Sequence, residues 1–339
     1  MNDRTIQRST DATDGGRRHP VRSPISLQRV LGLALALLLA SSCGAQESPR
    51  LQAAAPVAAT LAERAAFGAF TYGGVWQGME PIARLEARLG RRLEIVHWFM
   101  NWDHAYDARL VEPVLSSGAA PLISWQPHRQ SVRDIAAGTY DAYLRSWADG
   151  IAAAPGVVYL RPFPEMNGSW VPWNGDPESL VAAWRRMVAV FEAAGADNVR
   201  WVWSPNVTDG PRTDDNRMER YYPGAAYVDV LALSGYNWGA TRPDIGWRSF
   251  EAIFEAGYAR LEAIGSQPVW LAEVASSDEG GDKATWVRDL FASTAFANLE
   301  AIVWFDEDKE ADWRIAADPA VLAAVQDALG VGPLAASVR

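Results

Sequence analysis

A single-domain (β/α)8 barrel, an α/β architecture, is the fold this sequence predicts, on three observations. Short apolar runs alternate with amphipathic segments along residues 67–328, eight such runs can be counted, and no glycine-rich phosphate loop follows the first. The alternation builds parallel strands covered by helices. A doubly wound sheet would alternate in the same way. However, Gly73-Gly74-Val75 lacks the third glycine and the helix start that a dinucleotide-binding turn needs.

The elements follow in order. Strands are expected at Phe67–Tyr72, Leu93–Phe99 and Ala120–Trp125. Ser131 then opens an amphipathic stretch over Ser131–Ala153, with a serine hydroxyl suited to an N-cap. Val157–Phe163 is the fourth strand. Asp176-Pro177 starts a helix over Pro177–Ala194, with proline at the first helical position, and Gly195 stops it. Val199–Ser204 and Val228–Ser234 are the fifth and sixth strands, and Arg248–Ile264 is a helix stopped by Gly265. Pro268–Glu273, the helix Lys283–Ala292 and Ala301–Phe305 complete the pattern.

Before the barrel, residues 1–43 have the layout of a secretory signal. An arginine-bearing polar stretch leads into the apolar run Val30–Ala40 and then small residues. That run is well short of the roughly 20 residues that span a bilayer as a helix. Ala40-Ser41-Ser42-Cys43 resembles a bacterial lipobox, with alanine where leucine is usual. It makes Cys43 the expected lipidation site and places the protein outside the cell or on its surface, with the membrane reached only through that anchor. Plain secretion is the alternative. Residues 44–63 read as a flexible linker and 64–332 as the barrel, which is expected to act as a monomer. Cys43 is the only cysteine, so no disulfide is available to the domain.

A net charge of -10 supplies no phosphate-neutralising stripe and argues against a nucleic-acid partner. The 16 tryptophans fall in close pairs such as Trp98/Trp102, Trp170/Trp173 and Trp201/Trp203, a spacing that suggests aromatic platforms for sugar faces.

The chemistry concentrates at the predicted strand ends. Strand two closes on His97-Trp98, strand three on Trp125-Gln126, and strand four on Arg161 through Glu165-Met166-Asn167, followed by Trp170 and Trp173. Strand five closes on Trp203-Ser204-Pro205-Asn206, strand six on Tyr236-Asn237-Trp238, strand seven on Glu273 and strand eight on Trp304. In a barrel these ends converge on one mouth. Glu165 and Glu273 then face each other across it, as paired carboxylates flanking a glycosidic bond do. A carboxyl beside apolar indoles has a raised pKa and can donate a proton, while one accepting a phenolic hydrogen bond stays charged. Each glutamate alone also suits a buried, paired acid.

Taken together, Arg161…Glu165-Met166-Asn167-Gly168…Trp170…Trp173, Val202-Trp203-Ser204-Pro205-Asn206, Tyr222-Pro223-Gly224…Tyr227-Val228-Asp229, Gly235-Tyr236-Asn237-Trp238, Ala272-Glu273 and Val303-Trp304-Phe305…Asp312-Trp313-Arg314 resemble glycoside hydrolase family 26. This is a clan A family of β-mannanases and related endo-β-glycanases. The resemblance covers the whole barrel. It implies a single catalytic domain and a retaining endo-β-glycanase acting on a polysaccharide, β-1,4-mannan first among the candidates. Glu165 would be the acid/base and Glu273 the nucleophile held by Tyr236, while Trp170 and Trp304 would shape the subsite where the sugar distorts. Expected substrate-binding residues are His97, Trp98, Trp125, Arg161, Asn167, Trp170, Trp173, Asn206, Tyr236, Trp238 and Trp304.

One position departs from the family: Pro164 stands where a histidine usually precedes the acid/base and lies near the sugar 2-hydroxyl. Another group must supply that contact or the substrate differs, and His97 is a candidate. A β-1,3-1,4-glucanase, a β-xylanase, a non-catalytic glycan-binding protein and an envelope polysaccharide-processing lipoprotein remain open. The acidic run Asp306–Asp312 reads as a solvated loop, with a calcium site as its alternative. No His/Cys/Asp spacing suggests a catalytic metal, no cofactor is implied, and no Gly-x-Ser-x-Gly elbow points to an esterase.

Overall fold

A computed structural model describes residues 58–331; the leader, Cys43 and most of the linker expectation lie outside the described residues. Eight parallel strands close in sequence order into a barrel: β1 Ala66–Thr71, β2 Ile95–Asn101, β3 Ala120–Gln126, β4 Val158–Pro162, β5 Val199–Trp203, β6 Val230–Asn237, β7 Val269–Ser276 and β8 Leu299–Asp306, with β8 pairing back onto β1. The helices are α1 Leu61–Arg64, α2 Glu80–Leu89, α3 Ala108–Ser116, α4 Val132–Ala137, α5 Asp141–Ala152, α6 Pro177–Ala194, α7 Phe250–Ile264, α8 Lys283–Ala292 and α9 Pro319–Ala328.

The strand alternation sorts side chains into two layers. Ile95, Leu122, Val202, Val230, Ala232, Trp270, Ala272, Ala301 and Val303 fill the barrel interior. Their neighbours along each strand point outward and form a second core beneath the helices. Gly68 on β1 is required by this interior, because a Cβ there would lie 2.5 Å from the Ile95 Cβ.

The predicted caps form at Asp176, whose carboxylate accepts from Ser179 N at 3.2 Å, and at Gly195, which is left-handed at φ 74. Ser131 caps as expected, accepting from Asp134 N at 3.1 Å. The stretch it opens is two helices rather than one. Gly138 ends α4 at φ 89, a left-handed conformation that favours glycine. Gly265 ends α7 in extended backbone (φ -168), not the left-handed form.

Strands β6 and β7 run three residues beyond the predicted ends. Between them the register slips by one: Leu233 pairs with Leu271 but Ser234 with Glu273. This bulge matters for the site. Trp270 and Ala272 face the interior, so strict alternation would turn Glu273 outward. The extra residue turns Glu273 inward as well, a re-aiming for which bulges are commonly used.

Candidate active site

At the C-terminal mouth the interior layer becomes polar. Arg161, on β4 and fully buried, donates from Nη1 to Ser124 Oγ on β3 at 2.9 Å, from Nη2 to Ser234 Oγ on β6 at 2.5 Å, and to the Glu273 carboxylate. Tyr236, two residues beyond Ser234 on the same face, donates its phenolic hydrogen to the other oxygen of Glu273. Burial, with the nearby charges of Glu273 and Glu165, holds the Tyr236 hydroxyl far above its ordinary pKa, so it remains a donor. Glu273 is therefore gripped on both oxygens, with a guanidinium countering its charge.

Glu165 is held differently. It follows β4 in a tight loop where Phe163 and Glu165 both take positive φ, 51° and 55°. Such backbone is costly for residues with a Cβ and clusters at functional sites. The loop is fixed by Glu165 N donating to Ser204 O at 2.9 Å, and by Trp173 Nε1 donating to Pro164 O at 2.9 Å. The carboxylate accepts two neutral donors, Asn206 Nδ2 at 2.8 Å and Trp170 Nε1 at 2.7 Å. Burial and the charge of Glu273 raise its pKa, outweighing the two hydrogen bonds. One carboxyl whose pKa is raised thus stands near one bound by a guanidinium and a phenol, the contrast an acid and a nucleophile require.

Apart from His97, the other predicted residues divide into three groups. Trp170, 55% exposed, and the half-buried Trp238 stand at the mouth, with Trp238 against the ring of Trp313 at 5.0 Å. Asn167 and Trp173 brace the acid loop: Asn167 Nδ2 donates to Asn206 O and Asp209 Oδ1, and its Oδ1 accepts from Asn206 N at 2.7 Å. Trp98, Trp125 and Trp304 do not line the mouth. Each follows an inward-facing strand residue and so points outward. Trp125 packs on Trp102, Tyr143 and Trp147, and Trp304 on Trp286 with its Nε1 donating to Trp313 O.

The paired-tryptophan reading is corrected in the same way. Trp98, Trp102, Trp173, Trp201 and Trp203 are all buried, leaving Trp170 as the exposed ring of those pairs. His97 faces inward but lies beneath the site. Its Nε2 meets Ser124 Oγ at 2.7 Å, and burial, with Arg161 nearby, keeps it neutral with a pKa well below the usual histidine value. It reaches Arg161 through Ser124 rather than the mouth.

Sequence reading missed Ser124 and Ser234, which position Arg161, and Phe70, Phe99 and Phe305, which form an aromatic wall beside Tyr236. All five lie in phase with inward-facing residues: Phe99 two residues from His97, Ser234 two from Tyr236, Ser124 beside Arg161, and Phe70 and Phe305 beside each other. The acidic run is only partly solvated. Asp306 is buried and accepts from Ile315 N at 2.7 Å, while Lys283 Nζ binds the carbonyls of Asp312 (2.7 Å) and Arg314 (3.0 Å). These contacts fasten the loop that carries Trp313.

Residues 144–269 match the profile of glycosyl hydrolase family 26. Endoglucanase H of Acetivibrio thermocellus is 37% identical over 275 residues, 76% of this chain and 30% of that protein. A mannan endo-1,4-β-mannosidase of Bacillus subtilis is 30% identical over 109 residues, 28% of this chain and 29% of its own length. The chain spans less than a third of the length of the curated relatives it matches. In fold it is similar to a modular endo-β-1,4-mannanase from Cellulomonas fimi, with a TM-score of 0.60 at 18% identity over 80% of this chain and 71% of that one. With the family profile, this relative and this barrel in agreement, the chain belongs to glycosyl hydrolase family 26.

Proposed function

We propose that this barrel is a retaining endo-β-glycanase that cleaves a β-linked polysaccharide by double displacement, with Glu165 as acid/base and Glu273 as nucleophile. One observation carries the reading: two carboxyls at one mouth have opposite environments, one with its pKa raised by burial and a neighbouring charge, the other bound by Arg161 and Tyr236.

In the first step Glu273 attacks the anomeric carbon and the glycosidic bond breaks, while Glu165 gives its proton to the departing oxygen. Glu273 becomes an ester and loses its charge. That charge is one of the causes that raise the Glu165 pKa, so Glu165 becomes more acidic at the moment it must act as a base. It then takes a proton from the water that hydrolyses the ester, and Glu273 is released as a carboxylate.

The fold neighbours and the mannosidase relatives make β-1,4-mannan the first polymer to test. A second reading, a β-glucan such as a mixed-linkage β-1,3-1,4-glucan, is favoured by the alignment of Endoglucanase H over three quarters of this chain. Mannose and glucose differ at the 2-hydroxyl, and Pro164 carries no group to read it. Reducing-sugar release from mannan, glucomannan, mixed-linkage glucan and xylan, by the full chain and by Glu165→Ala and Glu273→Ala, tests the proposal. Release by the parent and by neither variant supports it, and the preferred polymer selects between the two substrates. Binding of a glycan without release by any of the three overturns the catalytic reading.

A further inference from the structure

Five large apolar side chains stand exposed among the described residues, and three of them, Tyr72, Trp76 and Trp170, are aromatic rings on loops at the barrel mouth. Trp170 belongs to the acid loop after β4. Tyr72 and Trp76 follow β1, which pairs with β8 and β2, so in a closed ring of eight strands they stand on the rim opposite β4 and β5. The double-displacement chemistry above uses neither of them.

The β1 loop is built to hold an indole out. Gly74 N donates to Thr71 O at 3.0 Å and Gln77 N to Gly73 O at 2.9 Å, closing a single turn over Val75–Gln77. Gly73 has φ 78 and lies close enough to the Gln77 side chain that a Cβ would fall 2.7 Å from it. Val75 is buried and anchors the turn, whereas Trp76, the next residue, is 49% exposed. The indole is braced by the imidazole of His104 on the loop after β2, with ring centroids 5.3 Å apart. That brace is fixed in turn, since His104 O accepts from both Tyr143 OH at 2.9 Å and Trp147 Nε1 at 3.2 Å. A braced, exposed indole presents an apolar face suited to the C–H face of a pyranose ring.

The direction of the sugar chain follows from the acid. Glu165 protonates the oxygen that leaves with the aglycone, so the aglycone lies on its rim, over Trp170, and the glycone end runs away toward β8 and β1. We propose that Trp76, with Tyr72 on the same loop, forms a distal glycone subsite that stacks a sugar several units from the scissile bond. This rests on reading the mouth as a glycanase site. It makes the cleft run rim to rim, an arrangement that favours long chains over short ones.

The test compares the full chain with Trp76→Ala and Trp76→Phe on oligosaccharides of increasing length from the preferred polymer. Migration of the same proteins in native gels containing that polymer is measured in parallel. The expected loss in kcat/KM for Trp76→Ala grows with chain length, reaching roughly 3- to 10-fold on the longest. It lies mainly in KM, phenylalanine recovers part of it, and the melting temperature is unchanged. Equal loss at every length, or none on the longest, overturns the subsite and leaves the hydrolase reading intact. Should the parent bind but not cleave, gel retardation that Trp76→Ala abolishes keeps the subsite while the hydrolase reading falls. A parent that neither cleaves nor is retarded overturns both. If sedimentation shows parent self-association that Trp76→Ala removes, with glycan kinetics unchanged, the ring covers a second copy and the subsite fails.

Discussion

The ends of β4 and β7 present the same side chain in two environments. Glu165 stands on a loop with left-handed backbone and accepts only neutral donors, an indole and an amide. Glu273 lies within a strand, is turned inward by a bulge and is bound by a guanidinium and a phenol. The two proposed roles rest on this difference: burial and a neighbouring charge raise the pKa of Glu165, while a guanidinium and a phenol bind both oxygens of Glu273.

The sharpest way to break this comparison is to remove each carboxyl. Glu273→Ala should lose at least about 10⁴-fold in kcat on every substrate, because no group remains to form the ester. Glu165→Ala should lose about 10²- to 10⁴-fold on natural glycans, the usual contribution of a general acid. It should keep most of its first-step rate on an aryl glycoside whose leaving group needs no proton, as pre-steady-state release of the phenol would show. Equal losses for the two variants on the aryl glycoside would remove the distinction.

Next comes the charge that only one site possesses. Arg161→Met leaves Glu273 buried without its partner and should lower stability by about 3–5 kcal/mol in denaturant unfolding. Trp170→Phe, on the exposed side of the other glutamate, should change stability by less than about 1 kcal/mol. Smaller than the loss of Arg161 is that of Tyr236→Phe, which removes one hydrogen bond to a charged group and should reduce kcat/KM by roughly 10- to 100-fold.

The finest effect is on pH. Asn206 and Trp170 stabilise the charged form of Glu165 and so lower its pKa against the larger raising effect of burial. Removing either donor should raise that pKa further. The alkaline limb of kcat/KM, where Glu165 has lost its proton, should therefore move to higher pH in Asn206→Ala and Trp170→Phe. A shift to lower pH would mean that these contacts favour the protonated acid.

The barrel was legible in the sequence because its strands are apolar runs of ordinary length and its longest helix carries both end signals, Asp176-Pro177 and Gly195. The two glutamates and Tyr236 were legible because the chemistry sits at strand ends. What escaped was which way each strand residue faces. Trp98, Trp125 and Trp304 lie next to mouth residues in sequence yet belong to the layer under the helices, one step out of phase. For β7 the count of phase would itself have misled, since the bulge that brings Glu273 inward has no mark in the sequence Leu271-Ala272-Glu273. The division of Ser131–Ala153 at Gly138 was hidden because a glycine inside a helical pattern does not announce whether its φ is positive.

The most direct test of the two-role account is to incubate the full chain with an activated 2-deoxy-2-fluoro-β-oligosaccharide of the preferred polymer and map the labelled peptide by mass spectrometry. The account predicts a glycosyl ester on Glu273, formed by the parent and by Glu165→Ala and absent from Glu273→Ala. A label on Glu165, or product released with inverted anomeric configuration by proton NMR, would contradict it.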